Sequence, residues 1–296
     1  VNKILDMNIL ITGATGNVGQ AILSSLLKNG FDATIAAGIR SPDEQKEEEK
    51  IPSAFLKQEF DFGKTEKFSK YLNGIDLLFL LRPPNIADVK AVFQPLITAA
   101  KEVGVKHIVF LSVQGAEKQS YIPHHKIERL IEESKIPYTF LRPAYFMQNF
   151  TTTLRKDIVE NEKIYLPAGD AKFTIVDVKD VGEVAAKILL NPSEYQNQAY
   201  ELTNDELLNF SEFAQQISEV TGKNVKFVSP NLLSFIYTKL KKGHNLTYIF
   251  VLIMLHYFPR FKEFPSISGN VEYFLNRPPI KFKEFLEHEK RMFENE

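Results

Sequence analysis

Apolar and polar positions follow two rhythms through the first half of the chain. Short unbroken apolar runs bounded by glycine, proline or charge read as strands buried on both faces. Longer stretches with apolar residues three or four apart read as helices. Residues 7–12 form the first apolar run, and a glycine-rich turn leads from it into a helix with Val18, Ile22, Leu26 and Leu27 on one face. Asn29-Gly30 stops that helix, glycine being suited to a left-handed cap. Further strands are predicted at residues 33–39, in a segment ending near Phe60-Asp61, and at 75–81, 107–111 and 138–141. Helices are predicted at 64–72, at 87–103 with Pro95 as a kink, and at 123–134, where proline opens the helix. The charge-dense stretch 43–50 reads as a solvated loop or a helix start. Such alternation implies right-handed crossovers and a parallel sheet covered by helices. The expected fold is α/β, a Rossmann-type doubly wound sheet.

After Arg142 the rhythm loosens. Residues 178–190 and 211–220 are amphipathic, the C-terminal region is aromatic and helical, and 281–293 closes the chain as a helix. We expect a dinucleotide-binding core over 1–150 and a small, mixed, mostly helical substrate lobe over 151–296. A segment at about 171–205 should return to pack on the core. The longest apolar run, 248–255, is far short of the roughly 18 residues needed to span a bilayer, so it reads as a buried helix. The N-terminus runs into the glycine turn with no targeting pattern.

Composition narrows the function. The 296 residues carry 36 Lys plus Arg against 37 Asp plus Glu, a net charge of -1. That balance gives no global attraction to nucleic acid or to a membrane, so neither is expected as a partner and any polyanion site has to be local. The absence of cysteine removes disulfides, zinc ribbons and thiol nucleophiles, and points to the cytoplasm.

Gly13, Gly16 and Gly19 stand directly after a strand and open a helix. A tight turn, close approach of a pyrophosphate and close packing of helix on sheet each ask for one glycine. The helix N-terminus then offers unpaired amides and partial positive charge to phosphate. NAD binders place an acid about 20 residues on, at the end of the second strand. Here residues 34–39 contain no acid and Arg40 follows, which favours NADP(H) over NAD(H). The alternative for Arg40 is a solvated side chain at a strand end.

The run ITGATGNVG, the strand ending in FDF, and VKHIVFLSVQGAE followed by HHKIERLIEESKIPYTFLRPAYFMQNF together resemble the NmrA-like family of atypical short-chain dehydrogenase/reductases. The likeness continues through FTIVDVKDVGEVAAKIL and FAQQISEVTGKNVKFV. It implies a six- or seven-stranded Rossmann sheet, a small C-terminal lobe, and NADP(H) at the strand ends. Members divide between reductases of quinones, azo or triphenylmethane dyes and redox-sensing regulators without turnover. By this resemblance Gly13, Thr15, Gly16, Asn17, Val18 and Gly19 form the pyrophosphate loop, and Arg40 meets the 2′-phosphate. Asp61 and Phe62 border the adenine, while Leu81 and Arg82 lie beside the ribose and nicotinamide. Arg82 departs from the family, which usually has small or hydroxyl residues there. Pro143, Ala144 and Tyr145 back the nicotinamide, and Gln114, Tyr145, Met147 and Asn149 face the acceptor.

Ser112 and Lys126 match two members of the Ser–Tyr–Lys set of short-chain reductases, but the position four residues before Lys126 is Ile122. Tyr121 is one residue out of register, about 100 degrees around a helix, so it does not substitute directly. Lys126 would hold the nicotinamide ribose. Adjacent His124 and His125 project to different faces, which argues against a metal site, and His125 is the candidate proton donor. Asp177 and Asp180 sit at a helix start and read as capping acids. The expected activity is hydride transfer from NADPH to a flat small-molecule acceptor. The alternative is an NADP(H) sensor acting through a protein partner. A homodimer fits either.

Overall fold

The computed structural model describes residues 7–40, 49–86 and 88–294, so most of the charge-dense stretch expected at 43–50 lies outside the described residues. The chain forms two compact units, each assembled from three segments. The first holds 1–143, 178–202 and 270–277, and the second 144–177, 203–269 and 278–296.

The first unit is built on β1 (Asn8–Ile11), β2 (Thr34–Ile39), β3 (Leu56–Glu59), β4 (Leu77–Leu81), β5 (His107–Leu111) and β6 (Tyr138–Pro143). Its helices include α1 (Asn17–Asn29), α2 (Phe68–Leu72), α3 (Val89–Glu102) and α4 (Pro123–Ser134). All strands run parallel, and a seventh strand, Gln198–Leu202, adds beside β6, opposite in the sheet to β3. Strand order reverses between β1 and β4, which pair in register at Leu10 and Leu78. In sheets of this kind ligands bind beyond the carboxyl ends of the strands at that switch point.

Side chains alternate across the sheet. Leu10, Leu78, Leu80, Ile108 and Phe110 join Phe68, Phe93, Ile97, Ile127 and Ile131 of α2, α3 and α4 in one core. The intervening Ile9, Ile11, Phe79 and Val109 are equally buried on the other face. There α1 lies against the helix Val178–Leu190 so closely that a Cβ on Gly182 would stand 2.5 Å from the Ala21 Cβ. Leu27, expected on the apolar face of α1, points to solvent because its inward stripe is Val18, Ile22, Leu23 and Leu26.

The second unit has a small mixed sheet of Tyr145–Phe146, Phe173–Val176 and Leu207–Leu208, and a parallel pair of Lys163–Tyr165 with Lys226–Val228. Its core is aromatic, with Phe150, Phe173, Phe210, Phe213, Phe282 and Phe285 packed together. The helix Phe210–Thr221 opens on a full capping box between Asn209 and Glu212. The helix Leu246–His256 corrects one expectation. Ile249, Leu252 and His256 are buried, with Tyr248 and Ile253 packed beside them, and Phe250, Val251 and Leu255 are exposed. Among the described residues no helix is long and apolar enough to cross a membrane.

Candidate functional site

The β1–α1 turn supplies the first component. Gly13 has φ 64°, and a Cβ there would fall 2.4 Å from the Leu81 Cδ2. A Cβ on Gly19 would lie 2.3 Å from the Gly13 carbonyl oxygen and 2.6 Å from the Ala14 Cα, so α1 sits tight on the turn. Gly16 differs: its nearest neighbour would be the Gly13 oxygen at 3.4 Å, and one side of the turn stays open. No side chain caps α1, and its first turn holds no acid. The amides of Asn17, Val18 and Gly19 begin the helix, where they have no partner within the helix itself. Asn17 and Thr15 are solvent-accessible, while Val18 and Ala14 are buried. These residues fit a diphosphate, by a bare backbone cradle with positive polarity.

Thr12, absent from the sequence-derived site, fixes the turn to the neighbouring strand. Its fully buried hydroxyl donates to the Phe79 carbonyl at 3.0 Å and accepts from the Leu81 amide at 3.1 Å. The signal was a lone hydroxyl closing an apolar run. Arg40 follows the last residue of β2 and is exposed there. Asp61 turns its carboxylate to the Gly63 amide at 2.8 Å, whereas Phe62 packs into the core between Phe60 and Phe93.

Arg82 follows β4 and folds over its own loop. Its Nη1 donates to the carbonyls of Ile86 at 2.5 Å and Pro83 at 3.2 Å, and its buried Nε has no partner. Burial lowers its pKa from the ordinary guanidinium value. On the adjacent strand end Ser112 is 2% exposed, and its Oγ also lacks a partner. A buried hydroxyl without a partner costs about 1–3 kcal/mol, so this strand end is better satisfied with a bound polar group than without one.

The loop after β5 is held by Glu201 of the seventh strand, which accepts from the Gln114 side chain and the Gly115 amide, both at 3.2 Å. The Gln114 backbone amide donates to the Pro143 carbonyl at 3.0 Å. On α4 the histidines diverge as their spacing requires. His125 Nδ1 meets the Ala116 carbonyl at 3.0 Å, and since a carbonyl only accepts, Nδ1 is the donor there. His124 turns to Phe110, and burial followed by the charge of Arg82 pushes its pKa down to about 3. Lys126 is exposed, and Tyr121 points outward with its hydroxyl on Gln119. The helix itself is anchored by Glu128, whose buried carboxylate takes Arg142 Nε at 3.0 Å and Nη2 at 2.7 Å. Glu117 adds a second contact to Arg142 at 2.9 Å. An arginine inside an apolar strand, with an acid on the helix before it, was the readable sign of this anchor.

Pro143 ends β6 in the first unit, and Ala144, buried, begins the second. Within the second unit Met147 is fully buried, and the Tyr145 hydroxyl lies 3.2 Å from His256 Nε2. His256 Nδ1 donates to the Leu252 carbonyl at 2.7 Å, which makes Nε2 the acceptor of the Tyr145 proton. Burial raises the Tyr145 pKa, opposed by a hydrogen bond with Asn149, and burial holds His256 at about 4. Asp177 accepts from Gln148 at 2.8 Å, and the fully buried Asp180 is paired with Arg277 at 2.8 Å. Asp180, the acid in the first turn of its helix, is thus also an internal ion-pair partner. Among the described residues no group of three or more His, Asp or Glu could hold a metal ion.

Comparison with known proteins bears on the family and the fold. Prestalk A differentiation protein A of Dictyostelium discoideum is 30% identical over 221 residues, covering 75% of this chain and 72% of that protein. The NAD(P)H azoreductase of Xenophilus azovorans is 30% identical over 232 residues, 76% of this chain and 77% of its own. Among solved structures, the NADPH-dependent quinone oxidoreductase of Escherichia coli in complex with NADPH superposes with a TM-score of 0.83 at 22% identity, covering 95% of this chain and 99% of the other. The NmrA-like family pattern matches residues 6–272, from the strand before the glycine turn to the helix that returns to the first unit. A match of that extent, on this sheet order and this bare turn, places the chain in the NmrA-like family.

Proposed function

We infer that this chain is an NADP(H)-dependent reductase that passes hydride to a flat electrophilic acceptor of the quinone or dye class. The observation that carries the reading is the turn at Gly13–Gly19, an uncapped and acid-free helix start with Gly16 bare on its open side. The acid-free end of β2 and the exposed Arg40 favour a 2′-phosphate over a free ribose hydroxyl, hence NADP(H) before NAD(H). The azoreductase and quinone oxidoreductase relatives support the acceptor class.

Bound here, NADPH supplies two electrons as hydride, and a quinone then needs one proton to become the hydroquinone. The first-turn amides of α1 hold the diphosphate and Lys126 the ribose hydroxyls. Ser112 donates its unpaired hydroxyl to a carbonyl oxygen. His125, with Nδ1–H tied to Ala116, would give that proton from Nε2 of its imidazolium form. A quinone is electrophilic without carbonyl protonation by a tyrosine, which suits a chain with Ile122 at that position. Of the residues expected to face the acceptor, Met147 is buried in the core, Tyr145 meets His256 and Gln114 meets Glu201.

The test is NADPH oxidation, followed at the nicotinamide absorbance, with quinone and triphenylmethane dye acceptors. Acceptor-dependent turnover is expected, falling about tenfold or more in Lys126→Ala through loss of a charged hydrogen bond. Tight NADPH binding with no oxidation across the acceptors would refute it. That outcome would favour the sensor, which requires different affinities for oxidised and reduced cofactor.

A further inference from the structure

We propose that the face formed by residues 232–267 docks the protein onto an anionic phospholipid bilayer, lying on the surface without spanning it. The helix Leu246–His256 is apolar on every side. Its inward stripe, Ile249, Leu252 and His256, is consumed by the core. A helix at a protein surface ordinarily turns polar residues outward. This one turns out Leu246 at 68% exposure, Phe250 at 61% and Leu255 at 50%. The turn that follows adds Phe261 at 69%, and the preceding helix Leu232–Lys241 adds Leu233 at 82%. Clustered exposure of that kind marks an interaction surface.

Charge selects the occupant. The chain as a whole is almost neutral, but residues 232–267 carry Lys239, Lys241, Lys242, Arg260 and Lys262 against Glu263 as the one acid. Lys239 and Lys242 share Asp157, leaving that trio still positive. Lys241 and Arg260 are exposed, and Arg260 stacks between Tyr257 and Phe261 at 5.2 and 5.8 Å from the ring centroids. Aromatic and aliphatic side chains beside lysine and arginine match the layered chemistry of a membrane interface, acyl chains beneath anionic headgroups. A second copy fits worse, since a two-fold interface would set these cations against themselves. The inference does not depend on the reductase reading, because it is tested by binding alone.

The experiment is co-sedimentation of the full chain with vesicles of phosphatidylcholine alone, or of phosphatidylcholine with phosphatidylglycerol. Binding is expected only with phosphatidylglycerol and should weaken as salt rises. Lys241→Gln with Arg260→Gln should lower partitioning about 25-fold, at roughly fivefold per cation. Leu246→Ser with Phe250→Ser, both on the exposed face and so neutral for folding, should lower it about tenfold or more. Equal partitioning into both vesicle types would overturn the proposal, as would serine variants that bind like the parent. So would a dimer in size-exclusion chromatography that the serine variants dissolve while no vesicle binding is seen.

Discussion

Alanine at Gly16 and at Gly19 should have opposite consequences, because the two glycines are needed for different reasons. At Gly19 the new methyl would meet the Gly13 oxygen at 2.3 Å and the Ala14 Cα at 2.6 Å, both backbone atoms with no flexible side chain to yield. Overpacking costs about 1–3 kcal/mol, and the gain of alanine over glycine within a helix returns at most about 1 kcal/mol. Gly19→Ala should therefore lose about 1–2 kcal/mol in urea denaturation. At Gly16 the nearest atom is at 3.4 Å and φ is -86°, so alanine is accommodated. As a poorer N-cap it costs under about 1 kcal/mol. Its methyl, however, would stand on the open side of the turn, where a diphosphate has to reach the amides. Losing one charge-assisted hydrogen bond there costs about 1.5–3 kcal/mol, which is about 10- to 150-fold in NADPH affinity. Fluorescence titration with NADPH measures this directly. A Gly16→Ala protein that folds normally and binds NADPH within twofold of the parent would refute the turn as the phosphate cradle.

Three further outcomes follow from the same geometry. Glu128→Gln breaks a buried pair and should cost about 3 kcal/mol or more in urea denaturation, against under about 1 kcal/mol for Glu117→Gln at the exposed end of the same arginine. Equal effects would mean that Arg142 is anchored elsewhere. Thr12→Val keeps the shape but strands the Leu81 amide, and should lose about 1–3 kcal/mol in thermal or urea unfolding. His107, His124 and His256 are held down at about 4, 3 and 4 by burial, so below the ordinary histidine value the unfolded chain binds more protons than the folded one. Stability should then fall as pH drops from 6.5 towards 4, with His256 contributing about 3 kcal/mol to the loss. His256→Gln keeps a polar partner for Tyr145 and should flatten that slope in urea midpoints taken between pH 7 and 4.5.

The inner strands of the central sheet were legible because they are covered on both faces and read as nearly unbroken apolar runs. The bounds of α4 and of the helix Val178–Leu190 coincide with those expected, α4 because proline at its first position leaves little freedom over where it starts. The seventh strand, Gln198–Leu202, was harder to see: an edge strand with sequence QAYEL has one partner and no apolar run. Of the site, the glycine turn was readable since its function is written in backbone conformation. The anchors were legible only as lone polar residues, not as pairs. Thr12, Glu201 and the Glu128–Arg142 pair act through partners distant in sequence, and nothing in local periodicity says which polar groups will meet. The helix Leu246–His256 misled for a physical reason, since an all-apolar run signals burial and this one gives half of its surface to solvent.

The interleaving of the two units has a consequence for synthesis. The first unit takes its last segment, 270–277, only after the chain has passed through most of the second. That segment brings Arg277, whose guanidinium meets the fully buried carboxylate of Asp180 and also Glu183. A nascent chain that has emerged no further than the glycine turn, the sheet and the helix Val178–Leu190 lacks the guanidinium that Asp180 meets in the finished fold. Removing one partner of a buried ion pair is costly, so the Asp180 contact with Arg277 is completed only when residue 277 clears the ribosome. The first unit is thus begun first and finished almost last, and a ribosome stalled ahead of Arg277 would release it without its final segment and without the Asp180–Arg277 pair.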